Sequence, residues 1–181
     1  KKDKYNVAIV GATGIVGESL LDIISTRNFP VDNLHAVASQ KSKGSKVKYG
    51  GTLLTVEALD EFDFSDIDIA FFSAGGSISK QYVPIATKQK CVVIDNTSEY
   101  RYIDNIPLII PEVNGNDIVK YTATNIIANP NCSTIQMLVA LKPIHDLFSI
   151  RSINVSTYQA VSGSGKDGVV ELLEQASSYI D

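Results

Sequence analysis

The sequence predicts an α/β fold: a mostly parallel, doubly wound, Rossmann-like sheet, followed by the start of a second, α+β domain. Three observations carry this. Short apolar runs and amphipathic helical segments alternate along the first 128 residues, the pattern of a parallel sheet with covering helices. The first such run ends in a glycine-rich turn that opens a helix. After residue 150 the pattern changes to one long alternating segment and a further helix.

Tyr5 to Val10 is the first strand. It ends at Gly11-Ala12-Thr13-Gly14-Ile15-Val16-Gly17, and Glu18 to Arg27 then carries Leu20, Leu21, Ile23 and Ile24 between polar residues. Strand, glycine turn and amphipathic helix together point to a Rossmann-like dinucleotide site. Gly11 permits the tight turn, Gly14 lets the backbone approach a pyrophosphate, and Gly17 lets the helix pack closely. The helix N-terminus would hold the phosphates. The spacing is G-x-x-G-x-x-G rather than the commoner G-x-G-x-x-G.

The second strand is Leu34-His35-Ala36-Val37-Ala38. An NAD site places an acidic residue near its end, against the ribose 2′-hydroxyl. Here the chain reads Ser39-Gln40-Lys41-Ser42-Lys43-Gly44-Ser45-Lys46. Hydroxyls and lysines suit a 2′-phosphate, so NADP is expected over NAD, with Ser39, Lys41 and Ser42 as its contacts.

A polar stretch then leads to a short strand, Gly51 to Val56. Ile67 to Ser73 is another, ending at Ala74-Gly75-Gly76. Ser77 to Gln89 reads as helix despite Pro84, and Cys91 to Ile94 as a buried strand with Cys91 in the core. Ligands of such sheets bind beyond the carboxyl ends of strands. Ser73, Gly75 and the stretch Asp95 to Ser98 are therefore expected to border the cofactor. Pro107 to Asn116 reads as irregular, and Thr124 to Ala128 as a further strand.

That strand delivers the chain to Asn129-Pro130-Asn131-Cys132-Ser133-Thr134, ahead of the apolar segment Ile135 to Leu141. The segment reads as a buried helix running to about Phe148, bent or shortened by Pro143. Cys132 would stand at its N-terminus, where free N–H groups and the helix dipole stabilise negative charge. A cysteine so held is a candidate nucleophile; the alternative is a small residue filling a gap. Ile150 to Val161 alternates as a strand, with Ile153, Val155, Thr157 and Gln159 on one face. Ser162-Gly163-Ser164-Gly165 is a turn, and Asp167 to Ile180 a helix. The domain boundary falls between 131 and 132: 1–131 would bind the dinucleotide, and 132–181 begins a second domain.

The 181 residues carry a formal charge of −4 with no basic bias, which argues against nucleic acid as a partner. No segment reaches the ~18 apolar residues of a membrane span. Lys1-Lys2-Asp3-Lys4 leads straight into the first strand, without a signal-peptide pattern. Two cysteines suit a reducing cytoplasm. No metal ion is expected.

Taken in order, Gly11 to Gly17, Asn129 to Thr134 and Thr157-Tyr158-Gln159-Ala160-Val161-Ser162-Gly163 resemble the motifs of aspartate-semialdehyde dehydrogenases, closest to the bacterial branch. Asp95-Asn96-Thr97-Ser98-Glu99-Tyr100-Arg101 and Pro111-Glu112-Val113-Asn114 add to the match. The resemblance covers essentially the whole chain. It implies NADPH-dependent reductive dephosphorylation of L-aspartyl 4-phosphate to L-aspartate 4-semialdehyde, in lysine, threonine and methionine synthesis. By motif, Cys132 is the nucleophile that forms an acyl-thioester, and Gln159 orients the substrate. Arg101 binds the leaving phosphate with Asn131 beside it, Thr13 to Val16 bind the pyrophosphate, and Ser162-Gly163 approaches the nicotinamide. The family usually forms dimers through its second domain, so 132–181 would begin the catalytic and dimerisation domain.

The resemblance also implies an acid–base histidine and a second arginine for the substrate carboxylate. The chain has only His35 and His145, and neither matches that histidine's motif. Both are expected to be structural, and the chain is expected to be the N-terminal part of such an enzyme. Two alternatives remain at this stage. One is N-acetyl-glutamyl-phosphate reductase, whose cysteine segment usually reads Pro-Gly-Cys-Tyr-Pro-Thr, unlike Asn131-Cys132-Ser133-Thr134. The other is an inactive, truncated NADP-binding module.

Overall fold

A computed structural model describes residues 2–180. Seven strands form one sheet: β1 (Tyr5–Val10), β2 (Val31–Ala38), β3 (Lys46–Tyr49), β4 (Thr52–Ala58), β5 (Ile69–Phe72), β6 (Val92–Asp95) and β7 (Ile126–Ala128). Their order is β3-β4-β2-β1-β5-β6-β7, and all neighbours are parallel except β3 and β4. The chain winds outward from β1 through β2 to β4, then returns to β5 on the other side of β1. The direction of winding therefore switches at β1, and a crevice opens beyond its carboxyl end.

The apolar runs are continuous because both faces of the sheet are covered. Along β1, Val7 and Ile9 face one way and pack with Leu21 and Ile24 of helix α1 (Ile15–Thr26). Ala8 and Val10 face the other way, into a cluster with Phe64, Phe72, Cys91 and Val83 of helix α2 (Gly76–Lys88). Pro84 is tolerated in α2 because it lies on the exposed side, where the carbonyl it leaves unpaired meets water. Cys91 is buried as expected, and burial pushes its thiol up to about 12.

Four details differ from the sequence reading. Lys46 to Tyr49, read as part of a polar stretch, is an antiparallel strand. It turns into β4 through Gly50-Gly51, with Tyr49 opposite Thr52 and Gly50 at φ +53°. Glycine at both positions of a two-residue loop is a hairpin signal that outweighs the lysines, which point outward from an edge strand. Second, the irregular stretch contains a short helix, α3 (Pro111–Asn114), continued by a 3-10 stretch, Gly115–Ala123. Pro111 starts that helix rather than breaking it, since its fixed φ suits the first position.

Third, helix α4 (Cys132–Phe148) has the expected length but is not buried: none of its residues is enclosed, and Leu147 and Phe148 are exposed. Fourth, Ile150 to Val161, read as a strand, forms none: Ile150 to Ala160 has no regular secondary structure, and Val161 opens a 3-10 turn. A strand needs a neighbour to take its backbone hydrogen bonds, and among the described residues none lies beside it. The chain then makes a 3-10 turn, Val161–Ser164, and helix α5 (Lys166–Ile180).

Candidate active site

The parallel strands end along one edge. The residue after each is Gly11, Ser39, Leu59, Ser73, Asn96 or Asn129, and all six line one cleft of about 860 Å³. The glycine turn forms its floor. Gly11 has φ +93°, and a Cβ there would lie 2.8 Å from the Ser73 carbonyl oxygen. Only glycine lets β1 turn this close to the end of β5. On Gly17 a Cβ would fall 2.1 Å from the Gly11 oxygen, so the third glycine seats α1 against the turn. Gly14 N–H closes onto Gly11 oxygen at 3.0 Å. The first N–H groups of α1, from Ile15 and Val16, have no intrahelical acceptor, and both residues line the cleft. This cradle fits a pyrophosphate.

At the other end, the β6 and β7 termini hold Arg101. Its Nε donates to the Asn129 carbonyl at 2.9 Å, and one Nη to the Asn96 carbonyl at 3.0 Å. Two of its five N–H groups are thus spent on fixing the guanidinium plane. Asn129 Nδ2 donates to Asn96 Oδ1, joining the two strand ends again. Behind them Asp95 is fully buried, accepting from Ser79 Oγ and Thr97 Oγ1, each at 2.7 Å. Tyr100 donates to the Ser79 carbonyl; burial first, then Asp95 and Glu99, pushes its hydroxyl up to about 12.

Asn131 is the N-cap of α4, and its Oδ1 accepts from Ser133 N–H at 3.0 Å. Cys132 is the first residue of that helix, exposed in the cleft. Gln159, Ser162 and Gly163 close the wall from the later segment. A Cβ on Gly163 would lie 2.8 Å from Gln159 Nε2, so this glycine makes room for the amide.

A family model described as semialdehyde dehydrogenase, NAD binding domain, matches residues 6–121. A second, described as semialdehyde dehydrogenase, dimerisation domain, matches residues 141–180. The chain belongs to the semialdehyde dehydrogenase family. Its relatives include the aspartate-semialdehyde dehydrogenases of Shewanella violacea, 52% identical over 98% of this chain, and of Legionella pneumophila, 53% identical over 97%. These alignments cover 52% and 51% of the relatives, so the chain spans about half their length. A crystal structure of aspartate semialdehyde dehydrogenase II from Vibrio cholerae, complexed with ASA, superposes with a TM-score of 0.94. It is 51% identical and covers 99% of this chain and 53% of that one.

The semialdehyde dehydrogenase fold gathers fourteen of the sixteen sequence-predicted site residues in one cleft: Gly11, Thr13, Gly14, Ile15, Val16, Ser39, Ser73, Gly75, Arg101, Asn131, Cys132, Gln159, Ser162 and Gly163. Lys41 and Ser42 do not line it. They stand in the 3-10 turn Gln40–Ser42, immediately after Ser39. That turn is pinned by Glu61, which accepts from Gln40 and Lys43; the Lys43 ammonium, then Gln40, holds its carboxyl below the ordinary value. His35 and His145 lie outside the cleft, and His35 instead bonds Glu57 at 2.8 Å. The sequence reading missed Asn129, Lys166 and Asp167 as cleft residues. A polar residue just after a strand, and charges just after a glycine-rich turn, were the available signals.

Proposed function

We propose that this chain supplies the dinucleotide-binding domain and the nucleophile of an aspartate-semialdehyde dehydrogenase. The observation that carries the reading is the sharing of one cleft by three parts: the glycine turn, the exposed Cys132 at a helix N-terminus, and the anchored Arg101. The likeness to a Vibrio cholerae enzyme crystallised with ASA supports the substrate.

In this reading Cys132 sulfur attacks the acyl carbon of L-aspartyl 4-phosphate. The C–O bond to phosphate breaks, phosphate leaves with its electron pair, and an acyl-thioester remains on Cys132. Arg101 receives the phosphate with its remaining N–H groups, planar and fixed in advance. Asn131 sits beside the same anion, and Gln159 orients the acyl group. NADPH held in the cleft would supply the hydride for reduction of the thioester to the aldehyde, and Cys132 would leave as thiolate. Thr13 to Val16 would hold the NADPH pyrophosphate, Ser73 and Gly75 would border it, and Ser162-Gly163 would lie on the nicotinamide side. Ser39 would border the 2′-phosphate from the cleft wall; Lys41 and Ser42, in the turn just beyond the cleft, would favour NADP by their charge and hydroxyl at that end.

The domain boundary lies between residues 131 and 132, where α4 begins. The dimerisation-domain match supports a homodimer. Free thiols suit the cytoplasm, and no helix among the described residues is long and apolar enough to cross a membrane. The place in lysine, threonine and methionine synthesis follows from the product. The test is turnover by the full-length polypeptide with aspartate semialdehyde, phosphate and NADP. Activity that needs phosphate and vanishes in Cys132→Ala is expected. Turnover surviving that substitution, or NADPH binding without any turnover, would overturn the proposal.

A further inference from the structure

Lys166 belongs to none of the roles above. It is the first residue of α5, delivered by Gly165, whose φ of +90° reverses the chain after the 3-10 turn. Its Nζ donates to the Thr13 carbonyl and to Glu18 Oε1, both at 2.7 Å. The link spans 153 residues and ties the late segment to the glycine turn. Lys166 lines the cleft; Glu18 stands in the first turn of α1, just behind the first N–H groups of that helix.

As a stability device this ion pair is weak, because both side chains are about half exposed (52% and 55%). Its position gives it another effect. A pyrophosphate resting on the first N–H groups of α1 brings negative charge within about one helical turn, roughly 5 Å, of the Glu18 carboxylate. Unneutralised, that carboxylate repels it. Lys166 Nζ, bonded at once to the Thr13 carbonyl and to Glu18, sets a positive charge against that carboxylate at the edge of the glycine turn. The other charged residues lining the cleft are Arg101, tied to Asn96 and Asn129 at the far end, and Asp167, which adds a further negative charge.

We propose that Lys166 sets dinucleotide affinity by neutralising Glu18 at the pyrophosphate cradle while it fastens the Ser162–Gly165 turn onto Thr13. This rests on the dinucleotide reading of the cleft. Lys166 acts on the phosphates through Glu18 and the turn, which makes it a positioning residue.

The experiment is titration of the full-length protein with NADPH, read by the nucleotide's own fluorescence, for wild type, K166A, K166R, E18Q and E18Q/K166A. One unscreened charge at this range changes affinity by roughly fivefold, so K166A should bind about that much more weakly at low salt. The loss should shrink at about 1 M salt, where the Debye length is about 3 Å. K166R should bind like wild type, and E18Q/K166A should recover most of the loss. Unchanged binding by K166A overturns the inference alone. So does an equal loss in the E18Q background, since the effect would then be packing and not charge. A wild-type protein that does not bind NADPH overturns the dinucleotide reading itself, and the inference with it.

Discussion

Gly17→Ala isolates the contact between α1 and the turn that precedes it. The added Cβ would fall 2.1 Å from the Gly11 oxygen, 2.7 Å from Ala12 Cα and 2.8 Å from Gly11 carbon. All three are backbone atoms, so no side chain can swing aside. Two effects oppose each other. Alanine gains up to ~1 kcal/mol of helix propensity over glycine. Forcing atoms into a packed site costs about 1–3 kcal/mol, and the short contacts with backbone put this case at the upper end. The net expectation is a loss of about 2 kcal/mol. For a chain of this size that lowers the melting temperature by about 4–8 °C. Gly14→Ala is the internal control. Its φ is −84°, and a Cβ there would meet Gly11 oxygen at 3.2 Å, so its melting should move much less. The assay is thermal unfolding by circular dichroism, with NADPH titration alongside. Displacing α1 moves the Ile15 and Val16 N–H groups, so affinity should fall together with stability. A Gly17→Ala protein that melts and binds like wild type would refute the close seating of α1.

Four further outcomes rest on the buried and exposed groups. Asp95→Asn replaces a carboxylate that accepts two hydroxyl bonds with an amide that has one acceptor, so urea unfolding should show a loss of about 1–3 kcal/mol; an unchanged midpoint would count against the buried pair of bonds. A thiol reagent at pH 8 should label Cys132 in the native protein and reach Cys91 only after denaturation, checked by peptide mapping; early labelling of Cys91 would contradict its burial. Because the folded Cys91 thiol sits near 12 against an ordinary 9.0, the native state keeps a proton that the unfolded chain releases, and stability should fall as pH rises from about 9 toward 12. Lys41→Glu should weaken NADP more than NAD in parallel titrations, since it sets a negative charge beside the 2′-phosphate; equal losses would remove Lys41 from that role.

The central sheet was legible because both of its faces are covered. Runs such as Val7 to Val10 and Ala70 to Phe72 are then apolar throughout, and glycine or polar residues mark their ends. What misled was the rest of the pattern. Lys46 to Tyr49 looks polar because an edge strand exposes one face and guards its free backbone with charge; only Gly50-Gly51 betrays the hairpin. Ile150 to Ala160 has strand periodicity but no strand, since alternation records which faces a segment can offer and not whether a neighbour is there to pair. The apolar residues of α4 mislead in the same way: Leu147 and Phe148 promise burial that the described residues do not provide.

The site was more legible than the fold around it, and the reason is geometric. In a parallel sheet the residues just past the strand ends converge whatever their spacing in sequence, so Gly11, Ser73, Asn96 and Asn129 meet although 118 positions separate the first from the last. Knowing where strands end was enough to place most of the cleft. Residues that reach it from outside the sheet obey no such rule. Arg101 arrives on a loop, and its aim is fixed by two carbonyls at strand ends, a constraint invisible in the loop's own sequence. Lys166 arrives from a helix more than 150 residues downstream of the turn it bonds. Nothing near Lys166 in sequence marks Thr13 or Glu18 as its partners. Charge pairing across such distances is settled only when the two segments are docked, which is why the cation at the phosphate cradle emerges from the structure and not from the glycine motif.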